Sequence, residues 1–179
     1  MSDPTVRQAI STDIAHLAAM DHSYSTDHVW QMVLSGEPGD LSVAFREVRL
    51  PRSMRVEYPR NPQRLVDEWT QRSAVLIADA DDGPLGYIAL IPATAPGAVW
   101  VSDLAVAQRQ RRLGVATRLL SAAIDWARAR GFVRLFLETQ SKNYPGIMLA
   151  RKLGFVFSGY SDHYYPDEDI SLFFSIDLD

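Results

Sequence analysis

Val106-Ala107-Gln108-Arg109-Gln110-Arg111-Arg112-Leu113-Gly114-Val115-Ala116 lies where one hydrophobic pattern gives way to another. Before it, residues 99–106 read as a strand. After it, Val115, Leu119, Ala122, Ala123 and Trp126 recur at helical spacing, with Arg118, Ser121, Asp125 and Arg128 on the opposite face. Gly131 ends that helix, and Arg128 and Arg130 in its last turn suit the negative end of the dipole. Residues 132–139 are nearly all apolar, as in a strand buried on both faces. Strand, helix and parallel strand in this order make a right-handed crossover unit.

The turn itself has a chemical reading. Small residues at 114 and 116 let the backbone approach a ligand and leave amide N–H groups unobstructed. A helix starting there aims its first free N–H groups and its positive end at one spot, which suits a diphosphate. Arg109, Arg111 and Arg112 add charge. A solvated basic turn ahead of an amphipathic helix accounts for the same residues, and Gly-x-Ala alone does not decide between the two. The turn is neither a dinucleotide fingerprint nor a P-loop: Gly-x-Gly-x-x-Gly is absent, and no Gly-Lys-Ser/Thr follows.

Working outward, residues 73–106 predict an antiparallel meander, with turns at Asp81-Asp82-Gly83-Pro84 and at 92–97. At the N-terminus, residues 5–9 form a short strand. Ser11 or Thr12 caps a helix with Ile14, Leu17 and Ala18 on its apolar face. Residues 21–34, containing Tyr24, Val29, Trp30 and Met32, continue in helical turns until Gly36, Pro38 and Gly39 stop them. A strand at 41–50 follows, then an irregular arginine-rich segment between Pro51 and Pro59. Asn61-Pro62 opens a helix reaching about 71. Downstream of 139, a short helix at 144–153 ends at Gly154, and residues 155–159 and 170–176 are closing strands. The whole, residues 1–179, reads as a single mixed α/β domain.

The formal net charge of −4 argues against a general nucleic-acid binder. The chain has no cysteine, which removes disulfides, thiolate metal ligands and a cysteine nucleophile. No apolar run has the length of a membrane span, and no basic-then-apolar signal segment opens the chain. The expectation is a cytoplasmic monomer or homodimer with no membrane or nucleic-acid partner. His16, His22, His28 and His163 lack ligand-like spacing, so no metal is expected. Trp30, Trp69, Trp100 and Trp126 lie in apolar periodic contexts and read as core.

Two motifs in order sharpen the reading of the turn. Arg111-x-x-Gly114-x-Ala116 resembles the acetyl-CoA signature of the GNAT superfamily of N-acetyltransferases. Downstream, Asn143, Gly146 and Lys152-Leu153-Gly154-Phe155 resemble that superfamily's closing element. The resemblance implies the GNAT fold: a mostly antiparallel central sheet, flanking helices and a splayed strand pair. It implies acetyl-CoA as co-substrate, its diphosphate on backbone amides of Arg111, Arg112, Leu113, Gly114, Val115, Ala116 and Thr117. The pantetheine arm would pair like an added strand with Leu104, Ala105 and Val106, and Asn143 would meet the arm or the nearby backbone. Leu137-Glu138-Thr139-Gln140-x-x-Asn143-x-Pro145 is similar, more narrowly, to streptothricin acetyltransferases. The implied reaction is direct attack on the thioester by a primary amine of a small molecule, streptothricin-like in that branch. A peptide or protein amine, or a weakly catalytic acyl-CoA-binding module, are the alternatives.

Amine acetylation needs a proton acceptor, and the departing thiolate benefits from an acid. Asp103, three residues before Val106, and Glu138, near the end of the next strand, are the candidate bases or ammonium ligands. A structural carboxylate paired with an arginine accounts for either one equally. The superfamily often places an acidic tyrosine where this chain has Ala150. A water or another tyrosine serves in its place, or the thiolate leaves unprotonated. Tyr144 is the candidate tyrosine, with Tyr160, Tyr164 and Tyr165 as further hydroxyls, and aromatic packing accounts for each of them as well. Arg46, Arg49, Arg52, Arg55, Arg60 and Arg64 read as a solvated basic region, with the lining of a pocket for an acidic acceptor as the alternative. Asp162, Asp167, Glu168 and Asp169 are an acidic loop able to attract a cationic acceptor.

Overall fold

The computed structural model describes residues 4–178. Strand β1 (Thr5–Gln8) and helix α1 (Ser11–Ala18) come first, then the long strands β2 (Tyr24–Glu37) and β3 (Asp40–Val56). Helix α2 (Arg64–Glu68) continues into a 3₁₀ turn, Trp69–Gln71. Strands β4 (Ala74–Ala80), β5 (Gly83–Pro92) and β6 (Ala98–Val106) precede helix α3 (Val115–Ala129) and strand β7 (Arg134–Gln140). Helix α4 (Tyr144–Lys152) and strands β8 (Val156–Ser161) and β9 (Ser171–Asp177) close the fold.

Seven strands form one sheet in the order β1-β4-β5-β6-β7-β9-β8, and β2 and β3 form a separate two-stranded sheet. Among the described residues, only β6 and β7 pair in parallel, and the other pairings are antiparallel. The predicted meander and crossover are both present. On one face α3 buries Val115, Leu119, Leu120, Ala123 and Ala127 against Leu76, Ile88, Val99, Val101 and Leu135. On the other, Ile14 and Leu17 of α1 and Leu65 of α2 pack on Val75, Ile77, Tyr87 and Ala105. A fully buried leucine of this kind contributes roughly 2 kcal/mol relative to an exposed one.

Some local expectations are corrected. Neither Ser11 nor Thr12 caps α1; the Asp13 carboxylate accepts the Ile10 N–H at 2.8 Å and is held by Arg7 at 2.8 Å. Residues 24–37 are a strand, not helical turns. Trp30, Met32 and Leu34 alternate onto one face opposite Glu47, Phe45 and Val43, and Pro38-Gly39 makes a tight turn with Gly39 at φ +101°. Distant partners override the helical reading: the Trp30 N–H donates to the Ser141 carbonyl at 2.9 Å, and its ring packs on Phe45, Phe157 and Phe174. The segment after Pro51 is also strand. Pairing slips between Thr26 and His28, so Pro51 sits in an unpaired stretch of β3 that needs no N–H.

The β6–β7 pair positions the site. Its parallel pairing runs from Ala98 opposite Arg134 to Val101 opposite Leu137 and stops. Beyond that point β6 stays with β5, up to Val106 opposite Gly86, and β7 stays with β9, up to Gln140 opposite Ser171. The register of β5 and β6 shifts between Ala89 and Leu90, leaving Ser102 as the extra residue of a bulge. A bulge bends the strand that carries it. The two strands part here, and the splayed pair follows.

Candidate active site

The open edge of β6 has a defined polarity. The Ala107 N–H donates to the Leu85 carbonyl at 2.8 Å, so Ala105 also turns its backbone groups to β5. Alternation turns those of Leu104 and Val106 to the open side. Gly86 is needed beside them, because a Cβ there would lie 2.6 Å from the Ala105 carbonyl oxygen.

This edge leads into the glycine turn. Arg112 and Gly114 both adopt positive φ, +67° and +85°, and a Cβ on Gly114 would meet nothing within 4 Å. Gly114 is the N-cap of α3 and brings no capping side chain. The first helical bond is Arg118 N–H to Gly114 carbonyl at 3.0 Å, which leaves Val115, Ala116 and Thr117 with N–H groups that no earlier turn accepts. Arg111 does not present its charge to this space. Its guanidinium donates to the carbonyls of Val106 (2.9 Å), Ser23 (2.6 Å) and Asp21 (2.8 Å), tying the end of β6 to the α1–β2 connection. Asn143 caps α4 by accepting the Gly146 N–H at 3.0 Å, and a Cβ at 146 would lie 2.7 Å from the Asn143 amide nitrogen, so a side chain there would push on the cap.

Asp103 and Glu138 stand on either side of the splay and line a cleft of about 710 Å³. Asp103 accepts from the Tyr58 hydroxyl, the Ser102 hydroxyl (2.7 Å) and Arg72 (3.1 Å). Burial, then the neighbouring Asp103 charge, holds the Tyr58 hydroxyl well above its ordinary value. Glu138 accepts from Arg60 and from the hydroxyls of Tyr164 (2.9 Å) and Tyr165 (3.2 Å). Burial and Glu138 raise both tyrosines.

The structure does not bring Tyr144 to these carboxylates. Its hydroxyl donates to Glu47 at 3.0 Å and its ring stacks on His28, so it serves the β2–β3 hairpin. Tyr160 packs edge-on against Phe45 of the same hairpin. Tyr164 and Tyr165 are the tyrosines of the cleft. The acidic loop is partly structural too: Asp169 is held by Lys142 and by the Gln140 amide at 2.9 Å, while Asp162, Asp167 and Glu168 are exposed. Tyr58, Arg72 and Ser102 carried no sequence signal, and Arg60 is taken out of the supposed solvated region into the cleft.

A pH response follows from His22. Its ring is buried, with Nδ1 2.7 Å from the Met20 carbonyl and Nε2 2.9 Å from the Tyr87 hydroxyl, an arrangement for the neutral ring. Burial holds it below the ordinary value of 6.5. As pH falls through 6.5 the unfolded chain takes up a proton that the folded ring refuses, so this contribution to stability declines with falling pH. His22→Asn should be less stable than the parent at pH 7.5, with the gap in thermal midpoint narrowing by pH 5. A gap that stays constant over that range would contradict a neutral buried ring.

The acetyltransferase (GNAT) family model matches residues 44–155. Streptothricin acetyltransferase from Streptomyces lavendulae is 27% identical over 164 residues, covering 89% of this chain and 85% of that protein. The crystal structure of a nourseothricin acetyltransferase superposes with a TM-score of 0.84 at 26% identity, covering 99% of this chain and all (100%) of that one. A Bacillus anthracis str. Ames protein solved with acetyl coenzyme A has the same fold, with a TM-score of 0.75 at 21% identity over 98% of this chain and 99% of that one. The matched segment contains the splay, the Gly114 turn, Asn143 and both carboxylates, and the chain belongs to the GNAT family of acetyltransferases.

Proposed function

We propose that this protein transfers the acetyl group of acetyl-CoA to a primary amine of a small molecule, and that the acceptor is streptothricin-like. One observation carries the reading: the unpaired edge of β6 runs from the carboxylate-lined cleft to the free N–H groups at the start of α3. The pantetheine arm, an amide chain, suits the backbone groups of Leu104 and the N–H of Val106, whose carbonyl Arg111 already holds. The diphosphate suits the turn at 113–117, on backbone donors and the helix dipole and not on the Arg111 guanidinium. The Asn143 oxygen is already used in the cap of α4, so its amide nitrogen is the group that would meet the arm. The acetyl end then reaches the splay, where Asp103 and Glu138 flank an amine entering from the cleft.

In the transfer, the amine nitrogen bonds to the thioester carbon as the carbon–sulfur bond breaks. The proton lost by the amine passes to a carboxylate of the cleft, directly or through water, and the thiolate is protonated from solvent. With alanine at 150 and Tyr144 under the hairpin, no tyrosine is assigned to the sulfur. The co-substrate is supported by the acetyl coenzyme A in the Bacillus anthracis complex, and the acceptor by the names of the Streptomyces lavendulae enzyme and the nourseothricin acetyltransferase.

Titration calorimetry with acetyl-CoA, followed by a thiol-release screen over small amines, streptothricin included, and a peptide library, tests this. Saturable binding and release with small amines are expected. Folded protein that gives no heat with acetyl-CoA overturns the reading, and turnover with peptides alone overturns the acceptor class.

A further inference from the structure

Where β6 and β7 part, the gap is bridged by a side chain from neither strand. Arg60, from the connection between β3 and α2, donates from Nη1 to the Ser102 carbonyl at 2.9 Å and from Nη2 to the Glu138 carboxylate. These acceptors belong to the first residues beyond the last paired ones, Val101 and Leu137. The guanidinium also lies 5.3 Å from the centre of the Tyr165 ring. A carbonyl, a carboxylate and an aromatic face around one point are what a cation bearing several N–H donors needs. A primary ammonium group, with three donors, satisfies the same set.

We infer that Arg60 sits in the seat of the acceptor's ammonium group, between the Ser102 carbonyl and the Glu138 carboxylate, and that the acceptor displaces it on binding. The inference rests on the reading of the cleft as the acceptor site. Two contrasts mark Arg60 as the replaceable cation. Arg72, which serves Asp103, has a side chain only 8% exposed and is also held by the Ser102 hydroxyl at 2.6 Å and by Glu68. Arg60 has a side chain 20% exposed, hangs from a segment outside any helix or strand, and borders the cleft. When it leaves, Glu138 keeps the Tyr164 and Tyr165 hydroxyls, so the exchange trades one cation for another at a carboxylate that is never bare. Arg60 thus sets specificity. It excludes neutral and anionic groups from the seat and lowers the apparent affinity of any cationic acceptor by the fraction of time it occupies the seat.

The test uses methylguanidinium, a fragment of the arginine side chain, with Arg60→Ala. Calorimetry should show binding to the variant and none to the parent at the same concentration, and the ligand should raise the thermal midpoint of the variant alone. With an amine acceptor, Arg60→Gln should lower KM about tenfold with kcat within a few-fold of the parent. Acetyl-CoA affinity should be unchanged in both variants. Arg60→Ala that is folded by circular dichroism yet gives neither heat nor a raised midpoint overturns the inference, as does an acceptor KM that rises or stays level in Arg60→Gln. If Arg60→Ala does not fold, Arg60→Gln carries the test alone through KM. Failure of the parent to bind acetyl-CoA would remove the proposed reaction but leave the methylguanidinium result standing, so the two failures are separable.

Discussion

Gly114→Glu should weaken acetyl-CoA binding by at least about 100-fold, equivalent to about 2.7 kcal/mol, while the protein stays folded. The position has two properties that make the substitution selective. A Cβ there meets nothing within 4 Å, so the new side chain displaces no neighbour. The backbone sits at φ +85°, which costs a non-glycine residue about 1–2 kcal/mol, a tolerable loss of stability. The carboxylate then stands in front of the N–H groups of α3. A like charge about 4 Å from a phosphate oxygen is worth about 4 kcal/mol near a protein surface. Gly114→Asn separates charge from conformation, since asparagine tolerates the left-handed region and is neutral. It should bind acetyl-CoA more weakly than the parent, by the steric part of the change alone, and more tightly than Gly114→Glu. If calorimetry shows Gly114→Glu binding as the parent does, the diphosphate is elsewhere.

That turn is legible in the sequence because its signals are local. The helix after it repeats its apolar residues at helical spacing, Gly131 ends it, and the next strand is nearly all apolar up to Leu137, so strand, turn, helix and strand can be read in one pass. The β2–β3 hairpin lacks that locality. Its Trp30 is fixed by Phe157, Phe174 and the Ser141 carbonyl, all more than a hundred positions away, and by itself the stretch from 24 to 34 has too few markers to choose a period. The consequence reaches the site. A tyrosine at the start of α4 is a reasonable acid until a hairpin lies across it, and only the tertiary structure puts Glu47 at the Tyr144 hydroxyl.

The carboxylates show the same division. Asp103 and Glu138 are identifiable by their distance from the turn and by their place on strands. Their partners are not, because Tyr58, Arg60 and Arg72 come from a segment whose route past the splay is set by packing on β5 and β6. Arg111 lies where its motif puts it but spends its charge on the protein itself, because a guanidinium beside strand ends has carbonyls to satisfy before it can serve a ligand.

Removing Arg72 should be the most destabilising single change in the cleft. Its side chain and that of Asp103 are 8% and 9% exposed, and it donates to both Asp103 and the Ser102 hydroxyl. Arg72→Ala leaves a buried carboxylate without its cation, a change that costs about 3–5 kcal/mol. Urea unfolding should show the midpoint falling accordingly, with Arg72→Lys between variant and parent because one ammonium cannot reproduce a planar fork. The double variant Arg72→Leu with Asp103→Leu separates structure from chemistry. Both charges vanish together, so much of the lost stability should return, and a double-mutant cycle should give a large coupling between the two sites. Activity should not return: if Asp103 takes the amine's proton or orients the water that does, kcat/KM stays at least about 100-fold below the parent. A double variant that regains both stability and turnover would make Asp103 a purely structural anion, and Glu138 would then be the one carboxylate of the splay left to take the proton.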